Sequence, residues 1–171
     1  SRVFHEDGGG VWLRSGWYPS ETTGYGPGNW AGPATRSDIT VRCAPGQREL
    51  VFDVIVINGI THTDITPFDA RSFTELPVKR EEITHDRWRY RIDISALPSA
   101  CEVALMVPDC YAAINVFPDG DNGGLERRSF VATGWALSGA PAAKPRRRPP
   151  HNAARPAPKR KAEPAETIPA E

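Results

Sequence analysis

The stretch "SGWYPSETTGYGPGNWAG", residues 15–32, concentrates side chains that suit sugar binding. Flat aromatic rings stack on the apolar faces of sugars, while neighbouring amides and carboxylates hydrogen-bond the hydroxyls. Rings of this kind also close sandwich cores, and we expect Trp17 and Trp30 to do mainly that. The other candidates should lie on a loop between them. The predicted ligand contacts in this stretch are Tyr18, Tyr25, Asn29 and Trp30.

A second candidate patch lies in "PDGDNGG", residues 118–124, with three oxygen-bearing side chains and an arginine shortly after them. Oxygen ligands at alternating positions begin a calcium loop, but its twelfth position is Phe130 where a helical calcium loop needs glutamate. A plain turn is therefore favoured, and calcium stays open because sandwich domains hold it in other ways. We expect no other cofactor. The patch comprises Asp119, Asp121, Asn122 and Arg127.

Catalytic signals are weak. His62 and Asp64 stand two residues apart in "THTD", which permits an acid/base pair on one face of a strand. No nucleophile elbow, zinc-protease motif or phosphate loop accompanies them. Glu81 and Glu82 adjoin in sequence and are more typical of a solvated edge than of a glycosidase pair. We predict that the chain is not an enzyme.

The composition changes sharply at the C-terminal end. Residues 141–171 contain eight prolines and eight Lys/Arg, with Ile168 as the one large aliphatic residue. Such a segment buries too little apolar area to fold, so we predict a β domain over residues 1–138 and a disordered tail over 139–171. The tail carries +5 and the residues before it −5. Its basic clusters suit nucleic acid or an acidic protein, and a solvated linker is the open alternative.

Period-two patterns predict β-strands in the rest of the chain. In "RWRYRIDI", residues 87–94, apolar residues alternate with arginines and an aspartate, as in a half-buried strand. In "ELVFDVIVI", residues 49–57, only Asp53 interrupts the second apolar set, which predicts a central strand covered on both faces. "CEVALMV" and "SFVATGWAL" add two more strands. With Gly/Pro-rich turns between them, the fold predicted is an all-β antiparallel sandwich or jelly roll.

Cysteine and hydropathy patterns add little about function. Cys43, Cys101 and Cys110 have no metal-binding spacing, so buried free thiols are expected, and a bridge between Cys101 and Cys110 stays open. No run is long and apolar enough for a membrane span, so no membrane insertion is expected. The compartment is left open between cytoplasmic synthesis and display on a particle or cell surface.

The order of residues in two segments resembles a known type of β-sandwich domain. Gly16-Trp17-Tyr18-Pro19-x-Glu21 followed by Gly28-Asn29-Trp30-Ala31-Gly32 is similar to the "GWYPxE…GxWxG" signature of a domain found beside bacterial glycosyltransferases. "D…ERRSFVATGWAL", residues 121–137, looks like the closing strand of that family. The resemblance covers residues 10–138 approximately, and Asn29 stands where the family usually has a basic residue.

The resemblance implies a carbohydrate-binding module for a bacterial surface or capsular polysaccharide. It would be displayed multivalently, either as a homo-oligomer or on a phage-like particle or glycan-processing assembly. The alternatives are an assembly sandwich whose basic tail binds nucleic acid or an acidic partner, and an accessory domain of a glycan-processing enzyme. The signature also has a structural interpretation, in which a partly buried Glu21 pairs with Arg127 or Arg128 and ties the first strands to the last.

Overall fold

The computed structural model describes residues 1–57, 61–112 and 127–139, and these residues form strands without a helix. One sheet has five strands in the order β1 (Arg2–Glu6), β2 (Gly9–Leu13), β5 (Arg36–Arg42), β10 (Ala100–Met106) and β7 (Thr66–Asp69). The other has six, in the order β3 (Glu21–Thr23), β4 (Gly26–Trp30), β13 (Val131–Ser138), β6 (Glu49–Ile55), β9 (Arg87–Asp93) and β8 (Val78–Thr84). A short ladder pairs β11 (Tyr111–Ala112) with β12 (Arg127–Arg128).

All these pairings are antiparallel, and the two sheets pack face to face around one core. The predicted all-β antiparallel sandwich is therefore confirmed. No helix in the described ranges has the length and apolar character that crossing a membrane requires. The predicted tail lies outside the described residues, apart from Gly139.

Strand β6 occupies the position that its apolar sequence predicted, between β13 and β9 in the six-stranded sheet. Leu50, Phe52 and Val54 are fully buried on its inner face. On its outer face, Asp53 is only 5% exposed because two arginines of β9 cover it. Arg89 donates to both carboxylate oxygens, at 2.8 and 3.2 Å, and Arg87 lies 3.6 Å away. The one charged residue in the apolar run is thus neutralised by the polar face of the neighbouring strand.

Aromatic rings fill the centre of the core. Phe52 stacks on Tyr90 at 5.3 Å and on Trp135 at 4.7 Å between ring centroids. Trp17 meets Trp135 and Phe130 edge-on, both at 5.6 Å, and its indole N–H donates to the carbonyl of Asp38. The expectation that Trp17 helps to close the core is confirmed.

The burial of Tyr90 is expected to make the fold less stable at alkaline pH. Burial raises the pKa of Tyr90 from 10.0 to about 12, and its hydroxyl donates to the carbonyl of Thr63. The folded state therefore holds the phenol proton more tightly than the unfolded chain, so this contribution is complete below pH 10 and is lost as the pH rises towards 12. We expect a loss of roughly 2–3 kcal/mol across that window. Denaturant unfolding between pH 8 and 12 measures it, and the Tyr90→Phe variant should show a flatter profile.

The three cysteines are free thiols, as expected, but each is only partly buried, and the Cys101–Cys110 bridge that the sequence left open is not formed. Burial raises the pKa of each thiol, for Cys101 to about 12. At neutral pH they therefore stay protonated, and a thiol is a poor nucleophile and a poor metal ligand in that form.

Candidate functional site

Residues 21–30 form a tight hairpin instead of the predicted loop. Glu21 pairs with Gly28 and Thr23 with Gly26, and Gly26 has a φ of 96°, which a residue with a side chain rarely adopts. The Thr23 hydroxyl donates to the carbonyl of Gly26 at 2.6 Å and accepts from the amide of Tyr25 at 3.1 Å. These bonds place Tyr25 at the tip of the hairpin, between β3 and β4.

Tyr25 connects this hairpin to the turn between β8 and β9. Tyr25 remains 38% exposed, with the guanidinium carbon of Arg87 4.9 Å from its ring centroid. The Tyr25 hydroxyl donates to Asp86 Oδ1 at 2.5 Å, and the Thr84 hydroxyl donates to the same oxygen at 2.6 Å. The hydrogen bonds from Thr84 and then Tyr25 lower the pKa of Asp86, so this carboxylate is ionised at neutral pH.

An open cleft of about 290 Å³ lies beside Tyr25 on the six-stranded sheet. Its polar lining includes the carboxylates of Asp86 and Glu21, and Trp30 lies at its base with 4% exposure. Ile55 and Val131 contribute apolar surface. We call this space the Tyr25 cleft. A second cleft, of about 500 Å³, lies on the other side of the hairpin, so Tyr25 stands between two concave surfaces.

Arg128 organises the wall of the Tyr25 cleft. It donates to Glu21 at 3.0 Å, and the side chains of the two residues are 12% and 40% exposed, respectively. The same guanidinium lies 4.9 Å from the ring centroid of Tyr18 and 5.4 Å from that of Trp30. The predicted pairing of Glu21 with one of the two arginines is confirmed, and Arg128 is the partner.

The remaining predicted residues near the hairpin make contacts within the fold. Asn29 lies in β4 and is 3% exposed, and its amide nitrogen donates to the carbonyl of Tyr18 at 3.1 Å. The expected loop position of Asn29 is therefore wrong, because the Gly/Pro-rich segment pairs as a strand. The Tyr18 hydroxyl donates to the carbonyl of Arg127 at 3.0 Å, and Arg127 itself is exposed. The structure thus brings Tyr25 and Trp30 to the Tyr25 cleft, and it brings Tyr25 and Asn29 to the second cleft. Tyr18 supports the fold beside them.

The second predicted patch cannot be placed in the same way. Asp119, Asp121 and Asn122 lie outside the described residues. Within residues 1–57, 61–112 and 127–139, no cluster of three or more His, Cys, Asp or Glu side chains could hold a metal ion. The calcium alternative therefore stays a prediction about that segment alone.

His62 lies between two carboxylates, only one of which the sequence indicated. Its Nδ1 is 3.2 Å from Asp64 and its Nε2 is 2.6 Å from Asp109, while the His62 side chain is 9% exposed. Its backbone amide donates to the carbonyl of Ser129. Both ring nitrogens thus face protein oxygens. This arrangement suits polar contacts that hold neighbouring loops together better than it suits proton transfer to a bound molecule. Glu81 and Glu82 are both exposed on the edge strand β8.

Sequence reasoning missed Asp86 and Arg87 as neighbours of Tyr25, and it left open which of Arg127 and Arg128 pairs with Glu21. Asp86 lies in the turn after the strand "VKREEIT" and Arg87 is the first residue of β9, and only the topology of the sheet places them beside Tyr25. Comparisons with protein-family models, curated proteins and solved structures found no match to this chain.

Proposed function

We propose that this chain is a non-enzymatic carbohydrate-binding module that holds a sugar in the Tyr25 cleft. The observation that carries the proposal is an exposed aromatic ring next to an ionised carboxylate in one open cleft, Tyr25 beside Asp86. The ring face offers a stacking surface for the C–H groups of a sugar, and Asp86 accepts hydrogen bonds from hydroxyls. Arg87 over Tyr25 and the hydrogen bond to Asp86 fix the ring, which reduces the entropy lost on binding.

The charge state of the cleft favours binding over glycoside hydrolysis. A hydrolase needs one carboxyl group with a raised pKa to protonate the leaving group. The pKa of Asp86 is lowered instead, and Glu21 already pairs with Arg128. Both carboxylates are therefore suited to accepting hydrogen bonds from a ligand that leaves unchanged.

The sequence resemblance supports a bacterial surface or capsular polysaccharide as the ligand. One cleft of about 290 Å³ accommodates only a short part of such a chain, so affinity per site is modest. Display of several copies on an oligomer, a particle or a glycan-processing assembly raises the avidity without new contacts. Repeating polysaccharides offer the matching array of identical epitopes.

Replacement of Tyr25 by alanine is expected to weaken glycan binding at least tenfold, because it removes the stacking surface and the hydrogen bond to Asp86. The measurement is a glycan array with the full chain presented multivalently, with and without calcium, followed by titration of each hit. Tyr25→Phe keeps the ring and should lose less. Phe73→Ala is the matched control, because Phe73 is also an exposed ring, at 52%, with an arginine 6.0 Å from its centroid.

Equal binding by the wild type and Tyr25→Ala would refute the Tyr25 cleft as the site. Calcium-dependent binding would move it to the segment with Asp119 and Asp121. If no glycan binds, and the full chain instead binds nucleic acid or an acidic protein in a salt-sensitive way, the assembly alternative is correct.

A further inference from the structure

A second aromatic surface lies on the other sheet of the sandwich, around Trp12. Val11 and Leu13 of β2 are buried in the core, so Trp12 between them points to the outer face of the five-stranded sheet. Its ring lies against the strand at Gly10, where an added Cβ would be only 2.4 Å from Cη2 of the indole. The absence of a side chain at Gly10 thus makes room for the indole against the strand, and Trp12 remains partly exposed.

Two arginines flank this ring. Arg14 comes directly after β2, with its side chain at Thr40 on the same outer face, and Arg42 of β5 lies directly across from Gly10. Both arginines are exposed, and together with Thr40 and Ala100 they line a cleft of about 210 Å³ beside the indole. Arg14 Nε donates to the Thr40 hydroxyl at 2.8 Å, which orients its guanidinium. We call this space the Trp12 cleft.

The charge of the Trp12 cleft is opposite to that of the Tyr25 cleft. Its charged lining residues are the two arginines, whereas those of the Tyr25 cleft are Glu21 and Asp86. Asp38, on the same outer face, is already bound by Arg36 and Ser15 at 2.8 and 2.7 Å. Glu102 of β10 is an exposed carboxylate on the same face, opposite Thr40, and it is not among the residues that line the cleft. The cleft is therefore complementary to a ligand that carries negative charge next to an apolar ring face.

We propose that the Trp12 cleft binds a carboxylate-bearing sugar residue, such as a uronic acid, of the same glycan. This inference rests on the proposed carbohydrate-binding function and adds acidic sugars to its ligand class. The planar guanidinium groups match a carboxylate through paired N–H donors, and the indole stacks on the C–H face of the sugar ring. The Thr40 hydroxyl, positioned by Arg14, can donate to a ring hydroxyl.

Nucleic acid is the other polyanion that arginines and an aromatic ring suit, and the net negative charge of residues 1–140 disfavours it here. Residues 1–140 carry 13 Lys/Arg against 18 Asp/Glu. A net negative domain repels a polymer with one phosphate per nucleotide more strongly than a glycan with one carboxylate per repeat. In this proposal the two clefts bind different sugar residues of one glycan, a neutral one at Tyr25 and an acidic one at Trp12.

The test uses the full chain and two probes of equal length, an oligogalacturonide and the same oligosaccharide with its carboxyl groups reduced to alcohols. Binding is followed by calorimetry at 50 and 300 mM salt. We expect the acidic probe to bind at least tenfold more tightly than the reduced one at 50 mM salt. The affinity for the acidic probe should be lower at 300 mM salt than at 50 mM. Arg42→Gln should remove most of this preference. Arg71→Gln, at an exposed arginine in the turn after β7, is the matched control and should stay within about twofold of wild type.

The Gly10→Ala variant tests the ring separately from the charges. An added methyl group displaces the indole from the strand while both arginines remain, so affinity for the acidic probe should fall. Thermal unfolding of each variant shows whether the fold is retained, and the exposed Arg42→Gln and Arg71→Gln changes are expected to leave it intact.

Several outcomes would overturn the inference. They are equal affinity for the acidic and reduced probes, equal losses in Arg42→Gln and Arg71→Gln, or displacement of the acidic probe by a single-stranded oligonucleotide at lower concentration. Tyr25→Ala separates the two proposals. If it leaves binding of the acidic probe unchanged while Arg42→Gln abolishes it, the Trp12 cleft stands by itself. If Tyr25→Ala abolishes that binding and Arg42→Gln does not, only the Tyr25 cleft remains.

Discussion

Replacing Arg128 by alanine is expected to lower the free energy of unfolding by about 2–4 kcal/mol. The Arg128 side chain is 12% exposed, and its guanidinium pairs with Glu21 at 3.0 Å and lies near the faces of both Tyr18 and Trp30. Alanine removes one ion pair and two cation–π contacts at once, and it leaves a hole between two aromatic rings. Chemical denaturation at constant pH measures the change.

The same substitution is expected to weaken sugar binding, because Arg128 positions two residues of the Tyr25 cleft. Without it, Glu21 loses its partner and Trp30 loses the group that covers its ring. Titration with a glycan that binds the wild type should therefore show a lower affinity even at temperatures where the variant is fully folded. Arg128→Lys keeps the charge without the planar guanidinium and should recover only part of both losses.

Arg127 provides the matched control for Arg128. The two residues are adjacent in β12, and Arg127 is exposed and contributes its backbone carbonyl to Tyr18, which alanine also supplies. Arg127→Ala should change stability by less than about 0.5 kcal/mol. If Arg128→Ala proves as stable as Arg127→Ala, the arginine is not a structural element of the cleft wall.

Strand patterns were predictable because the pleat of a strand fixes a period of two regardless of its partners. In β9, Tyr90 and Ile92 are buried while Arg89 and Arg91 lie on the outer face, as the alternation in "RWRYRIDI" indicates. The partner of Asp53 was not predictable. Its pairing with Arg89 depends on the register of two strands that are 36 residues apart in sequence.

In the candidate site too, features set by local sequence were predictable, and contacts set by sheet topology were not. Residue type indicated Tyr25 as a ligand contact, and the signature in the sequence indicated that Glu21 needs an arginine. Asp86 was missed because it is 61 residues from Tyr25 in sequence. Only the strand order of the six-stranded sheet brings the two side chains together. Asn29 was predicted on a loop because glycine and proline are depleted in strands, and their presence around it conceals β4.

Replacing Phe52 by alanine is expected to destabilise the fold by about 3–5 kcal/mol, the largest effect among the substitutions considered. Phe52 is fully buried on the central strand β6, and its ring is stacked between Tyr90 and Trp135. The strands on either side of β6, β13 and β9, are held to it by backbone hydrogen bonds and cannot collapse into the space, so most of the cavity should persist. Phe52→Leu refills much of the volume and should cost less than about 1.5 kcal/mol.

The pKa of Tyr90 gives a second measurement of the same cavity. Burial is the main cause that raises this pKa to about 12, and the Phe52 ring forms one wall of that environment, stacked 5.3 Å away. Admission of water into the Phe52→Ala cavity should therefore move the pKa of Tyr90 back towards 10.0 and flatten the alkaline loss of stability. Absorbance titration of the phenol detects the shift. A strongly destabilised Phe52→Ala protein whose Tyr90 still titrates near 12 would mean that the cavity stays dry, and that lost ring contacts alone account for the destabilisation.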